Sequence, residues 1–298
     1  MVADAMKDFK PDWLALREPA DVRSRSARLA HLVAARFPRD TAVRALDVAT
    51  GTGANMRYMA EHLPSQQQWL LVDGDPALLG EVPGRTHSWA VARGFEVASD
   101  QQELLIRGEG LMCRVATRRL NLATDPDGPD GIFEGHALVT ASALLDLVSD
   151  RWLRAVADRC RGAGAAVLFA LTYDGRMHCA PEEPEDAAVT DLVNAHQRMD
   201  KGFGPALGPA GCDAAERCFT GLGYRVERAP SDWLLERDAD QLQRQLIDGW
   251  ATAAAEVAPD LSSAIASWKA RRLAHVATGR SRLLVGHEDL AAWLPITG

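Results

Sequence analysis

The apolar residues of this chain recur with two different periods, and the switches between them lay out a fold. Over residues 11–37, Trp13, Leu14, Leu16, Leu29, Leu32, Val33 and Phe37 are spaced as on one face of a helix. Pro19 interrupts this run and Asp21 can cap a new one. Two helices joined near residues 18–21 are therefore predicted, the second ended by Pro38-Arg39-Asp40. Short, continuous apolar runs then alternate with helical stretches. The runs predict core strands at 44–48, 69–72, 115–122, 137–142 and 165–172. Helices are predicted at 55–62, briefly near 76–79, and at 150–161, where Gly162 and Gly164 supply a stop. Residues 81–110 fit extra strands or a hairpin turning at Glu109-Gly110. After the fifth core strand come predicted helices at 186–199, 213–221, 238–257 and 261–278, and strands at 224–228 and 282–285. Residues 201–209 are too rich in Gly and Pro for regular structure.

This order predicts an α/β fold: a doubly wound, mostly parallel, Rossmann-like sheet. Residues 1–40 form a helical N-terminal cap and residues 41–298 the main domain, with residues 174–212 inserted after the fifth core strand as a substrate lid. Ligands of such sheets bind outside the carboxyl ends of the strands.

Charge and cysteine content narrow the partners. The net charge of −8 argues against a broad phosphate-binding surface. Arg23, Arg25, Arg28, Arg36, Arg39 and Arg44 do cluster, but their helical interleaving with apolar residues fits a solvated helix face. The five cysteines show no CxxC spacing, the first residues lack an apolar signal core, and no window reaches the roughly 18 apolar residues of a membrane span. A cytoplasmic protein with reduced thiols, no membrane partner and no metal is expected; a homodimer is left open.

The chemistry concentrates at the end of the first core strand. Ala45-Leu46-Asp47-Val48-Ala49-Thr50-Gly51-Thr52-Gly53-Ala54-Asn55 reads as a buried strand stopping at a glycine turn, and Asp73 ends the next strand about 20 residues later, where an acid can accept ribose hydroxyls. A phosphate loop of the GxxxxGK[ST] type is absent. A dinucleotide fingerprint would want a third glycine where Met56 stands, and Asp47 brings a second acid to the pocket. Both features disfavour a nicotinamide dehydrogenase and suit a cofactor bearing an ammonium and a sulfonium.

In these residues the chain resembles the class I S-adenosylmethionine-dependent methyltransferases. Residues 46–53 are similar to that family's first motif, with Ala49-Thr50 in place of the commoner Gly-Cys or Gly-Ala. Residues 71–76 resemble its second motif, and residues 138–147 its fourth-strand segment, so the likeness spans about residues 41–172. It implies S-adenosylmethionine as methyl donor and S-adenosylhomocysteine as product. Asp47, Ala49, Gly51 and Gly53 would hold the methionine moiety, Asp73 the ribose, Asn121-Leu122 the adenine edge, and Thr140 and Ala141 would flank the sulfonium. Asn55 and Arg57, opening the following helix, could reach the cofactor carboxylate.

Acceptor-side candidates are Asp146 after the fourth core strand, Tyr173 and His178 at the fifth, and His196 beside the Gly/Pro segment as general base. Trp233, Trp250 and Trp268 read as packing residues. Acidic charge and a lid point to methyl transfer onto a small-molecule substrate. The alternatives are another use of the sulfonium (cyclisation or aminocarboxypropyl transfer), a protein or RNA methyltransferase, and a catalytically silent cofactor-binding subunit.

Overall fold

A computed structural model describes residues 10–39, 41–100, 103–123 and 131–295. Asp40, expected to help end the second helix, and residues 1–9 of the cap lie outside them. Helix α1 spans Pro11–Ser24 and α2 spans Ala27–Ala34. The predicted joint is thus displaced: α1 runs through Pro19, and the break falls at Arg25-Ser26. Pro19 removes one backbone donor, but Leu16 and Ala20 keep the helix packed on the core, and Arg17 pairs with Asp21 one turn on. Ser26 is the real cap. Its hydroxyl accepts from the Leu29 amide at 3.3 Å, while its own amide donates to Asp289 at 2.8 Å.

The core then alternates as predicted. Strand β1 (Val43–Val48) leads into α3 (Ala54–Ala60) and β2 (Gln66–Asp73). Helix α4 spans Pro76–Ala92, far longer than the four residues expected. Gly80, Pro83 and Gly84 hide it from a propensity reading, yet Leu78, Leu79, Val82, Thr86 and Ala90 give it a buried face at spacings of three and four. A hairpin follows, β3 (Glu96–Asp100) and β4 (Glu103–Gly108), then β5 (Leu111–Arg119). Next come β6 (Leu138–Ser142), α5 (Asp150–Ala163) and β7 (Ala166–Ala180). The C-terminal part holds α6 (Asp186–Gln197), α7 (Gly211–Gly221), β8 (Arg225–Pro230), β9 (Trp233–Leu235), α8 (Asp240–Val257), α9 (Ser262–Ala277) and β10 (Arg282–Trp293).

The strands form one sheet in the order β3-β4-β5-β2-β1-β6-β7-β10-β8, with β9 also pairing β10. The five from β5 to β7 are mutually parallel, and β10 lies antiparallel to both β7 and β8. Strand order reverses between β1 and β6, so the carboxyl ends of β1, β2 and β6 surround one crevice. The largest extensions beyond prediction are at the C-terminal ends of two strands: β7 continues eight residues beyond Thr172, through Tyr173 to Ala180, and β10 continues past Val285 to Trp293. The latter extension begins with the polar run Gly286-His287-Glu288-Asp289. Register shifts accommodate it, and Asp289 is buried because the amides of Leu171 and Ser26 satisfy its two oxygens.

Candidate functional site

A cleft lies over the carboxyl ends of β1 and β2, roofed by α1. It encloses about 950 Å³, part of it open to solvent, and its walls include Ala49, Thr50 and Gly51 of the first turn, Asp73, and Ser142-Ala143-Leu144 at the end of β6. Helix α1 contributes Leu14, Arg17, Glu18, Asp21 and Val22. Asp73 is the anchor of the turn: it accepts from the Gly51 amide at 2.8 Å and the Asp75 amide at 2.9 Å. Burial raises its pKa even so. Gly51 has φ +58°, and a Cβ there would meet Leu14 of α1 at 3.0 Å, so this glycine lets the roof close down. Asp47 sits one layer deeper. Fully buried, it accepts from the Thr50 hydroxyl and the Asn55 amide, and burial pushes its pKa up to about 6. Asn55 also bonds Thr140 at 3.0 Å and receives the Arg25 guanidinium, which rests 4.3 Å from the Tyr58 ring centroid.

A second, wider cleft of about 1980 Å³, continuous with solvent, adjoins the first; Arg17, Ala143 and Leu147 line both. At its inner end stands Asp146, 6% exposed, whose Oδ1 is buried with no hydrogen-bond partner. Burial pushes its pKa up to about 6, while backbone amides and the nearby Arg17 and Lys201 cations pull it down. Tyr173 donates to Asn194 at 2.8 Å, and burial raises its pKa. His196 lies between Glu256 (Nε2 to carboxylate, 3.0 Å) and Lys201 (Nδ1 to ammonium, 3.1 Å). Burial and Lys201 lower its pKa.

No protein-family model matches the chain, and no curated protein sequence matches it. Among solved structures it matches a candidate methyltransferase from Bacillus halodurans at a TM-score of 0.50, with 16% identity over 90% of this chain and 98% of the other. The chain has the class I methyltransferase fold. Phosphoethanolamine N-methyltransferase 2 of Haemonchus contortus, solved with phosphomonomethylethanolamine and S-adenosylhomocysteine, matches at TM-score 0.44 and 16% identity over 99% of this chain. This chain spans 60% of that protein's length. The cyclase SpnF matches at TM-score 0.40 and 16% identity over 90% of this chain and 81% of the other.

Within this methyltransferase fold, the structure gathers Ala49, Gly51, Asn55 and Asp73 on the walls of the first cleft. It moves other expectations. Gly53 faces inward, where a Cβ would meet Arg57, Leu71 and Val82 at 3.3–3.5 Å, so it serves packing. Arg57 is not free for a carboxylate: it is clamped by Glu18 and by the Thr52 carbonyl at 2.7 Å. Thr140 is sealed in the core, donating to the Leu168 carbonyl at 2.7 Å, and Ala141 is buried beside it; the lining falls to the next three residues. Asn121 and Leu122 follow β5 close to Gly74 but do not line the cleft, and the Leu122 carbonyl accepts from Trp152. His178 is exposed on β7 opposite Leu284, away from both clefts. His196 does line the second cleft, but both its ring nitrogens are engaged, which removes it as the free base.

Sequence reasoning missed Arg17 and Arg25, each 8% exposed inside the cap rather than on a solvated face. It also missed that Trp233 and Trp250, though buried, face the second cleft; Trp268 packs as expected. Among the described residues no group of three or more His, Cys, Asp or Glu is arranged to hold a metal ion, and no helix is long and apolar enough to cross a membrane.

Proposed function

We propose that the protein is an S-adenosylmethionine-dependent methyltransferase acting on a small molecule. The supporting observation is a pair of clefts meeting at Arg17, Ala143 and Leu147, one fitted to the donor and the other closed in by side chains of α1, α6 and α8. The donor cleft offers groups of the right kinds. Asp73 keeps lone pairs for ribose hydroxyls, Arg25 supplies a buried cation for a carboxylate in the place expected of Arg57, and Gly51 and Ala49 let backbone approach closely. When bound, the donor supplies an electrophilic methyl on sulfonium. The protein's share is then mainly positional: Ala143 and Leu147 fix where the two clefts join, and α1 roofs the first of them. Work in the cytoplasm accords with this reading.

Two measurements test it. S-adenosylhomocysteine at 100 times its Kd should stabilise the fold by about 2.7 kcal/mol, visible as a rise in Tm of several degrees. No rise would sink the reading. In turnover, S-adenosylhomocysteine as the only thioether product supports methyl transfer; methylthioadenosine would mean attack on another carbon of the sulfonium.

A further inference from the structure

The acceptor cleft is selective about what hydrogen bonds it leaves to make. Its walls are largely apolar and aromatic, with Trp13, Leu147, Leu171, Trp233 and Trp250 prominent. Several polar groups on it are already committed: Tyr173 to Asn194, Arg17 to Asp21, and His196 to Glu256 and Lys201. Besides the acceptors of Gln197, Asp200 and Glu256, two stand out. One is Asp146 Oδ1, buried and unpartnered. The other is His287, whose Nδ1 lies 3.0 Å from the Val285 carbonyl. A carbonyl only accepts, so Nδ1 holds the proton and Nε2 keeps a lone pair. A ligand completing this cleft should therefore bring a hydrogen-bond donor to Asp146, because a buried acceptor without a partner is costly.

Charge decides which kind of donor. The Arg17 guanidinium lies 4.9 Å from the Trp233 ring centroid, taking that indole's cation-binding face. Lys201 is a second cation on the same cleft, and Asp146, Asp200 and Glu256 are carboxylates on it, so its lining suits neither a net cation nor a net anion. We propose that the acceptor is an uncharged aromatic molecule whose hydroxyl donates to Asp146 Oδ1, with a second donor placed for His287, and that the product is an O-methyl ether. This rests on the methyl-transfer reading. In the step, the acceptor oxygen bonds to the methyl carbon as the carbon–sulfur bond breaks and its electron pair stays on sulfur. The hydroxyl proton passes to Asp146 and leaves to solvent with the product. Arg17 and Lys201 favour the negative charge that gathers on the oxygen beforehand.

The test uses calorimetric titration of the protein saturated with S-adenosylhomocysteine, with 2-naphthol, 2-methylnaphthalene, 2-naphthoate and 2-naphthylmethylammonium as probes. 2-Naphthol should bind at least tenfold more tightly than the other three. Asp146→Asn should weaken 2-naphthol about tenfold and leave 2-methylnaphthalene unchanged, with the thermal shift by S-adenosylhomocysteine retained as proof of folding. Tighter binding of the ammonium probe, an unchanged 2-naphthol affinity in Asp146→Asn, or no binding by any probe would each overturn the proposal. Loss of the S-adenosylhomocysteine shift in the unaltered protein would instead strike the earlier reading.

Discussion

At the scale of single residues, backbone strain collects on the walls of the two clefts. Ala49, Ala143 and Leu171 are the described non-glycine residues with φ above zero, at +53°, +52° and +55°, and all three line a cleft. A left-handed alanine costs about 1–2 kcal/mol, and glycine's extra freedom in the unfolded chain returns part of that. Ala49→Gly should therefore gain up to about 1 kcal/mol, read as a higher denaturant midpoint with unchanged slope; a lower midpoint would show the turn unstrained. Asp146 is the larger reservoir. Holding its carboxyl at about 6 instead of 3.8 makes the ionised form cost about 3 kcal/mol. Asp146→Asn is thus predicted to raise Tm by a few degrees at pH 7.5 while lowering methyl transfer at least 100-fold. The sign with pH follows from the raised value: the unaltered protein binds the extra proton as pH falls through 6, so the variant's advantage should vanish towards pH 4. A constant advantage would mean that Asp146 does not titrate in this window. The places of Asp73 and Gly51 were legible in the sequence because a strand-end acid and a glycine turn restrict residue type. Arg25 was not, since nothing in a local pattern tells a buried arginine from a solvated one.

Among elements, α1 is the one on which both clefts depend. Its inner face supplies Leu14, Arg17, Glu18 and Asp21 to the donor cleft and Trp13 and Arg17 to the acceptor cleft. It is pinned at Glu18 by Arg57, which is 2% exposed, and at Asp21 by the Trp233 indole at 3.1 Å. Glu18→Ala would leave a buried guanidinium with only the Thr52 carbonyl. A loss of about 2–4 kcal/mol is expected in chemical unfolding, together with a weaker Kd for S-adenosylhomocysteine. Unchanged affinity would detach the roof from donor binding. The alternation of strands and helices over the core was readable because each element had its own period. The exceptions are instructive: α1 and α4 both run through a proline, carried by tertiary packing that propensity does not register. The extension of β10 was hidden because its polar residues find partners from distant segments.

In the molecule as a whole, titrating groups are distributed unevenly. Burial raises the pKa of Asp21, Asp47, Asp73 and Asp146, all around the clefts, and lowers that of His287 to about 3. Asp47 and Asp146, raised to about 6, bind more protons folded than unfolded, so their share of stability grows as pH falls through 6. His136, His196 and His287, whose pKa burial lowers, do the reverse below 6.5. With three such histidines against two such carboxyls, the ligand-free protein should unfold at the same or a lower denaturant concentration at pH 5.5 than at pH 7.5. A clear rise would show that the carboxyls outweigh the histidines. The sequence conveyed much of the first cleft and little of the second, whose walls come from α1, β7, α6, α8 and β10 and meet only in three dimensions. Ala143 and Leu147 are shared by the two clefts, so only a thin partition separates donor from acceptor. Such a partition invites a bisubstrate ligand: an adenosyl thioether tethered to a naphthol should gain 10²–10⁴-fold over either half through effective concentration alone.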